Sequence, residues 1–269
     1  MDYNAILTNI RSELSVFNTV KLNEADHSYT WMSKSGTPMK NRTSMTTLLH
    51  QYRQPFNQDE QADIYAKKKG LDKQTVIETW NRLSKEATTK GTAIHNYLEY
   101  LFSNIEPEYM YDVQKVIDTF GIDIIAPKWG KLKNMANKFH SMAINWLIPI
   151  ACELKIADDE TGVAGAIDLL CLHIPSKQIV ILDYKSGKEI RRENIYNQYM
   201  LAPLNHLPDI NYVHYSLQLN GYQYIVEKNT SLQLRNTHFI IWIYEENDDI
   251  EIIPTLDLYK EAAYMIEHR

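Results

Sequence analysis

Two short stretches place carboxylates where an otherwise apolar chain would hold none. Gly165-Ala166-Ile167-Asp168-Leu169-Leu170 lies in a run from Val163 to Leu172, and Asp183-Tyr184-Lys185-Ser186-Gly187-Lys188 follows Ile179-Val180-Ile181-Leu182. Both runs read as buried strands. An ionised Asp inside such a strand is costly unless something compensates it, and a divalent cation is the strongest compensator available. Asp183 and Lys185 are two residues apart, so on a strand both point to one face. His173-Ile174-Pro175-Ser176-Lys177 between the runs reads as a hairpin turn. A loop centred between Pro175 and Ser176 sets Asp168 directly across from Asp183. The pattern is a hairpin with two facing carboxylates and a neighbouring lysine, which is the pattern of a metal site.

Three further groups could join it. His95 and Glu99, in Gly91-Thr92-Ala93-Ile94-His95-Asn96-Tyr97-Leu98-Glu99, stand at i and i+4 and share a helix face. A neutral imidazole can complete a coordination shell of oxygens, although the same spacing also occurs in ordinary surface pairs. Gln218 and Tyr222 repeat that spacing and offer an amide and a phenol suited to a phosphate oxygen or a positioned water. An ordinary amphipathic helix would read the same way. Glu153, ahead of the Asp168 strand, is either an outer-sphere ligand or an edge-strand surface charge.

Composition narrows the class. The chain has 269 residues, 44% hydrophobic and 23% charged, enough for one large folded domain and against intrinsic disorder. Its two cysteines, Cys152 and Cys171, form no CxxC pair, which excludes zinc-ribbon and iron–sulfur ligation. The start, Met1-Asp2-Tyr3-Asn4-Ala5-Ile6-Leu7, lacks the basic and apolar regions of a signal peptide, and no run reaches transmembrane length. The expected setting is therefore a reducing cytoplasm. The net charge of −6 does not advertise a nucleic-acid binder. Local clusters do: Lys128, Lys131, Lys133 and Lys138 in an acid-free stretch, Lys67-Lys68-Lys69, and Arg191-Arg192. Each is also compatible with a solvated face. Negative charge gathers at Glu245-Glu246-Asn247-Asp248-Asp249-Ile250-Glu251.

The elements that must position these groups follow from periodicity. A small hairpin spans 20–32 and turns at Ala25-Asp26-His27; a capped helix starts within 42–49. Helices cover 58–69 and 72–102, the second broken near Gly91. The stretch 103–127 is weakly patterned. A helical stripe of Leu132, Met135, Phe139, Met142, Ala143 and Trp146 runs from 131 to 148. Strands at 150–157, 163–173 and 178–186 lead to a helix near 213–228 and a strand at 238–244. A last strand or turn and a C-terminal helix from Leu256 complete the chain. Residues 1–80 read as an N-terminal elaboration and 81–269 as the main domain.

The order of helix with His95, strands with Glu153, Asp168 and Asp183/Lys185, helix with Gln218 and Tyr222, then strand, is αβββαβ. It resembles the PD-(D/E)XK nuclease superfamily, in particular its RecB-like branch. That branch's helical His motif matches Gly91 to His95, its Gly-x-x-Asp matches Gly165 to Asp168, its (D/E)-x-K matches Asp183 to Lys185, and its Q-x-x-x-Y matches Gln218 to Tyr222. The four motifs cover about residues 90–245. Upstream, Ser44-Met45-Thr46-Thr47-Leu48-Leu49 is similar to a segment preceding the His helix in mitochondrial genome maintenance exonucleases and related phage exonucleases. Ile167 stands where the eponymous Pro would be and Asp183 where Glu would be. The CRISPR-adaptation members carry four cluster-binding cysteines, and two do not suffice here.

The resemblance implies an α/β fold of restriction-endonuclease type, with a mixed central sheet flanked by helices. It also implies an exonuclease acting on single-stranded DNA ends in replication, recombination or repair. His95, Asp168, Asp183 and the carbonyl of Tyr184 would hold one or two Mg²⁺ or Mn²⁺ ions. The metal would polarise the scissile phosphate and stabilise the leaving 3′-oxygen. Lys185 would orient water or neutralise developing charge, and Gln218 and Tyr222 would hold the strand or the water. Glu99, with Glu153, would sit outside the ligand shell. Lys128, Trp129, Lys131, Lys138 and Phe139 would form the charged, stacking wall of a single-strand channel, with Arg191 and Arg192 as further DNA contacts. A structure-specific endonuclease with the same site, or an inactive nucleic-acid-binding protein, are the alternatives; the presence of Asp168, Asp183 and Lys185 speaks against the second.

Overall fold

The computed structural model describes residues 3–103, 117–118, 121–247 and 249–268. Most of the weakly patterned stretch 103–127, Asp248 of the acidic run and the first two residues therefore lie outside the described part.

The chain opens with helix α1 (Tyr3–Leu14), followed by a three-stranded antiparallel sheet of β1 (Lys21–Asn23), β2 (Ser28–Met32) and β3 (Pro38–Lys40). The hairpin expected at 20–32 is thus joined by a third strand. Strand β4 (Thr43–Ser44) leads into α2 (Met45–His50), where the Ser44 hydroxyl accepts the N–H of Thr47 at 3.1 Å. That cap satisfies one of the helix's orphan donors, a contribution of about 1 kcal/mol. Helices α3 (Gln58–Lys69) and α4 (Lys73–Ser103) come next.

Helix α4 is unbroken at Gly91. A single interior Gly costs a helix about 1 kcal/mol, and the apolar stripe Ala93, Ile94, Tyr97, Leu98 and Phe102, buried immediately beyond it, offsets that cost. The helix also runs straight across residue 80, the boundary expected for the N-terminal elaboration. Helix α5 (Ile122–Ala143) buries Leu132, Met135, Phe139 and Ala143 as expected, with Ala136 besides, but ends earlier. Met142 is exposed and Trp146 lies beyond the helix, because Leu147 already pairs with His173 in the sheet.

The central sheet is mixed. Its strands are β4, β5 (Leu147–Ala157), β6 (Val163–His173), β7 (Gln178–Lys185), β8 (Phe239–Trp242) and β9 (Glu251–Pro254). β5 and β7 flank β6 antiparallel, β7 pairs β8 in parallel, and β8 pairs β9 antiparallel. Helix α6 (Asn211–Asn229) and helix α7 (Tyr259–Glu267) complete the fold. Side chains alternate between two cores. Leu170, Leu172, Ile179 and Ile181 join the core with α1, α2, α6 and α7, while Leu169, Cys171, Val180, Leu182 and Tyr184 join that with α4 and α5. The N-terminal segments share the first core through Leu7, Ile10, Trp31 and Leu48.

One detail of the sheet positions everything that follows. β5 occupies one edge of β6 along nearly its whole length. The other edge is taken by β7 over 169–173 and by β4 over 163–164. Between these two partners lie residues 165–168, whose backbone on that edge has no ladder strand among the described residues. Among the described residues no helix is long and apolar enough to cross a membrane.

Candidate metal centre

The gap in the β6 ladder is where the sequence placed its chemistry. The pairs Leu169–Leu182 and Leu170–Ile181 fix the β6–β7 register, so continuing it brings Asp168 opposite Asp183, as the turn arithmetic required. On the other side, Cys152–Leu169 and Leu154–Ile167 bracket Glu153 and Asp168. Glu153, Asp168 and Asp183 therefore form one row across three adjacent strands. Beyond the last ladder pair, the Tyr184 N–H is donated to Asp168 Oδ2 at 2.8 Å instead of to a backbone carbonyl.

Helix α4 delivers His95 to the same place. Its Nε2 lies 2.9 Å from the Tyr184 carbonyl and its Nδ1 3.5 Å from Asp168 Oδ2. A carbonyl only accepts, so Nε2 carries the proton and Nδ1 turns its lone pair towards the Asp168 carboxylate. Two lone-pair donors facing each other at that distance require a proton or a cation between them. The imidazole pKa is lowered, first by burial and then by Lys185, so the ring is neutral at neutral pH. Burial, and next the charge of Asp183, push Asp168 up to about 7. Burial and the charge of Asp168 also raise Glu153.

Among the described residues, His95, Glu153 and Asp168 are the His, Cys, Asp or Glu side chains whose ligand atoms lie within 4.8 Å of one another. Two expectations change accordingly. Glu153, read as outer-sphere or surface, stands in the ligand group. Its backbone adopts φ +48°, a left-handed conformation that non-glycine residues adopt at a cost and that recurs at functional sites. Asp183, expected as a ligand, stands beside the group, where Lys185 Nζ is 2.5 Å from its Oδ2. That lysine is the charge partner of the buried carboxylate. The Tyr184 carbonyl, also expected as a ligand, has one lone pair engaged by His95.

The donor set fits a hard divalent cation: an imidazole and two carboxylates with raised pKa values. Of these groups, His95 and Glu153 line a cleft of about 410 Å³. Gly91, Thr92, His95 and Glu99 of α4 form one wall, Glu153 and Lys155 of β5 the floor, and Leu22, Glu24 and His27 of the β1–β2 hairpin the other wall. Glu99 shares the cleft with His95, and burial, then Glu153, raise its pKa. Nothing in the sequence marked the hairpin as part of the site, since it packs there only through the tertiary fold. Lys155 donates to Glu153 at 3.1 Å and could have been found from its position two residues along the strand.

Lys185 sits in a charged and aromatic sandwich. Burial alone would lower its pKa, but Asp183 and then Asp168 outweigh burial and hold it above the ordinary range. The Tyr215 ring of α6 lies 4.8 Å beneath the ammonium. Gln218 Nε2 donates to the Tyr222 hydroxyl at 3.1 Å. The Tyr222 ring is buried against Gly165 and so braces the Asp168 strand.

The expected cationic wall is different too. Phe139 is fully buried, held in the core by its stripe on α5, and cannot stack on a strand. Trp129 is half-buried, edge-on to Tyr97 at 6.1 Å. Lys128 pairs with Glu86 at 2.8 Å, Lys138 with Asp249 at 2.8 Å, Arg191 with Glu189 at 2.9 Å, and Arg192 with Glu251. Lys131 is exposed. Most of these cations thus carry a carboxylate partner. Compared with known proteins, the sequence matches no family model and no curated protein.

Proposed function

We propose that the chain is a Mg²⁺- or Mn²⁺-dependent nuclease of the PD-(D/E)XK type, RecB-like branch, and that it digests DNA from single-stranded ends. The observation that carries this reading is the row Glu153–Asp168–Asp183 across three strands, with His95 and Lys185 brought to it from either side. A cytoplasmic role in the replication, recombination or repair of phage or bacterial DNA goes with that activity.

His95 Nδ1, Glu153 and Asp168 would hold the ion. When bound, it supplies charge neutralisation at the scissile phosphate and lowers the pKa of a nearby water. Lys185 stays an ammonium at neutral pH, so it acts as a fixed positive donor to a phosphate oxygen and not as a base. Asp183 fixes the lysine's position, and the Tyr215 ring backs it. Tyr184 threads the site together, its N–H holding Asp168 and its carbonyl holding His95. Tyr222 and Gln218 brace the strand from below.

The test is a time course on end-labelled linear and closed-circular single-stranded DNA, with Mg²⁺, Mn²⁺ or EDTA. Loss of the linear form alone, abolished by EDTA, is expected. Cutting of the circle at the linear rate would make the enzyme an endonuclease, and no metal-dependent cleavage of either would remove the nuclease reading.

A further inference from the structure

The segment that leaves the Lys185 strand exposes apolar and aromatic surface. Ile195 is 64% exposed, Tyr196 63% and Tyr199 44%. Large side chains at such exposure on neighbouring positions form a patch and not the scatter of single residues that any surface shows.

Its roots lead back to the site. Asn211, in the first turn of α6, accepts the Arg191 N–H at 2.7 Å and donates to the Glu189 carbonyl at 2.7 Å. Tyr215, one turn further on, lies under the Lys185 ammonium. Residues four apart share a helix face and are separated by roughly 6 Å of rise. The patch is therefore tied to the helix face that supports Lys185.

The patch also offers a ring and N–H donors to a polyanion with flat bases, which would compete there with the exposed Glu189 carboxylate, 2.9 Å from Arg191 Nη2. The Arg191 guanidinium lies 4.9 Å from the Tyr196 ring centroid, covering one face of the ring and holding it in place. The tight turn at 194–197, with Asn197 at φ +50° and its N–H bonded to the Asn194 carbonyl at 3.1 Å, projects that ring outward. The Asn194 side-chain oxygen accepts the Gln198 N–H at 2.9 Å, which fixes the amide so that Nδ2 is the free end. Asn194 Nδ2 and Arg191 Nε are both shielded from water and have no acceptor among the described residues. Two N–H donors without acceptors in one turn of chain are costly. A small shift of the turn that presents them to phosphate oxygens would relieve that cost.

We propose that residues 191–199 form a docking platform for the single-stranded nucleic acid next to the scissile position, with a base stacked on Tyr196 and the adjoining phosphate held by Arg191 and Asn194. This rests on the nuclease reading above and names the surface that carries its substrate.

The probe is a dye-labelled oligothymidine strand, with binding followed by fluorescence anisotropy in EDTA so that metal-dependent cleavage is stopped. Tyr196→Ala should weaken binding by about five- to a hundredfold, the range expected for one lost base stack. Tyr196→Phe should retain wild-type affinity. The wild type should also bind a strand of abasic sites more weakly than oligothymidine, and Tyr196→Ala should lose that preference. Tyr196 is exposed, so the melting temperature of either variant should match that of the wild type. Equal affinity of wild type and Tyr196→Ala would overturn the platform while leaving digestion of linear strands, and so the nuclease reading, intact. A wild type that neither binds nor digests any strand overturns both.

Discussion

Tyr222 occupies the space that a side chain at residue 165 would need. A Cβ built on Gly165 falls 2.5 Å from Tyr222 Cε1 and 3.1 Å from its Cζ and hydroxyl. The glycine of the Gly-x-x-Asp stretch and the tyrosine of the Gln-x-x-x-Tyr stretch are thus two halves of one contact. It lies three residues before Asp168, on the part of β6 between the stretches that pair β4 and β7.

That contact predicts a specific failure. Gly165→Ala should destabilise the protein by about 1–3 kcal/mol through overpacking and should lower metal affinity as the Asp168 strand is displaced. Combining it with Tyr222→Ala should cost less than the sum of the two single changes, because the clash is removed with the ring. Urea denaturation of the four proteins checks this. Simple additivity would show that the two residues do not meet.

The ligand assignment makes a second prediction. In the wild type, Mn²⁺ should raise the melting temperature. Asp168→Asn should lose that stabilisation together with cleavage, and Glu153→Gln should weaken Mn²⁺ binding by at least about tenfold. Isothermal titration of both variants decides the point. Unchanged affinity in Glu153→Gln would return that residue to an outer position.

Lys185 is coupled to stability more tightly than its motif suggests. Asp183 is buried and its counter-charge is this lysine. Lys185→Ala should lose most of the turnover and should also destabilise the metal-free protein by about 3–5 kcal/mol, since it strands a buried carboxylate. Adding Asp183→Asn should restore the fold without restoring turnover. A stable but slow single variant would mean that water reaches Asp183 more freely than its burial implies.

How far the sequence carried the fold depends on which forces were local. Strands at Val163–His173 and Gln178–Lys185, their register and the shared face of Asp183 and Lys185 follow from the apolar runs, the turn centred between Pro175 and Ser176, and period two. So does the α5 stripe around Leu132 and Phe139. What failed was decided by tertiary contacts. Glu153 reads equally as an outer-sphere group or an edge charge, because its left-handed backbone and its alignment with Asp168 exist only once β5 lies against β6. The basic residues looked like a wall because the carboxylates that pair with them are distant in sequence, as with Lys128 and Glu86 or Lys138 and Asp249. Phe139 could not be both core and channel lining, and apolar periodicity had already placed it in the core.

The last prediction concerns pH. Burial, then Asp183, push the Asp168 carboxyl up to about 7 in the folded protein, against an ordinary value near 4. Between those values the unfolded chain gives up its proton first, so the folded state binds more protons and the Asp168 contribution to stability falls as pH rises through the window. His95 acts in the opposite sense. Its folded pKa is lowered, by burial and then by Lys185, so stability is lost as pH falls below the ordinary imidazole value. In the metal-free protein the two partly cancel. Metal binding breaks the tie, because it needs Asp168 ionised and His95 neutral, and both conditions hold above neutrality. Mn²⁺ affinity should therefore fall by about tenfold per pH unit below pH 7, with one proton released per ion bound, and level off above it. Titration calorimetry in buffers of different ionisation enthalpy counts that proton directly. Asp168→Asn should abolish the proton release while leaving the fold, and an affinity in the wild type that is flat from about pH 5.5 to 8.5 would show that neither residue is a ligand.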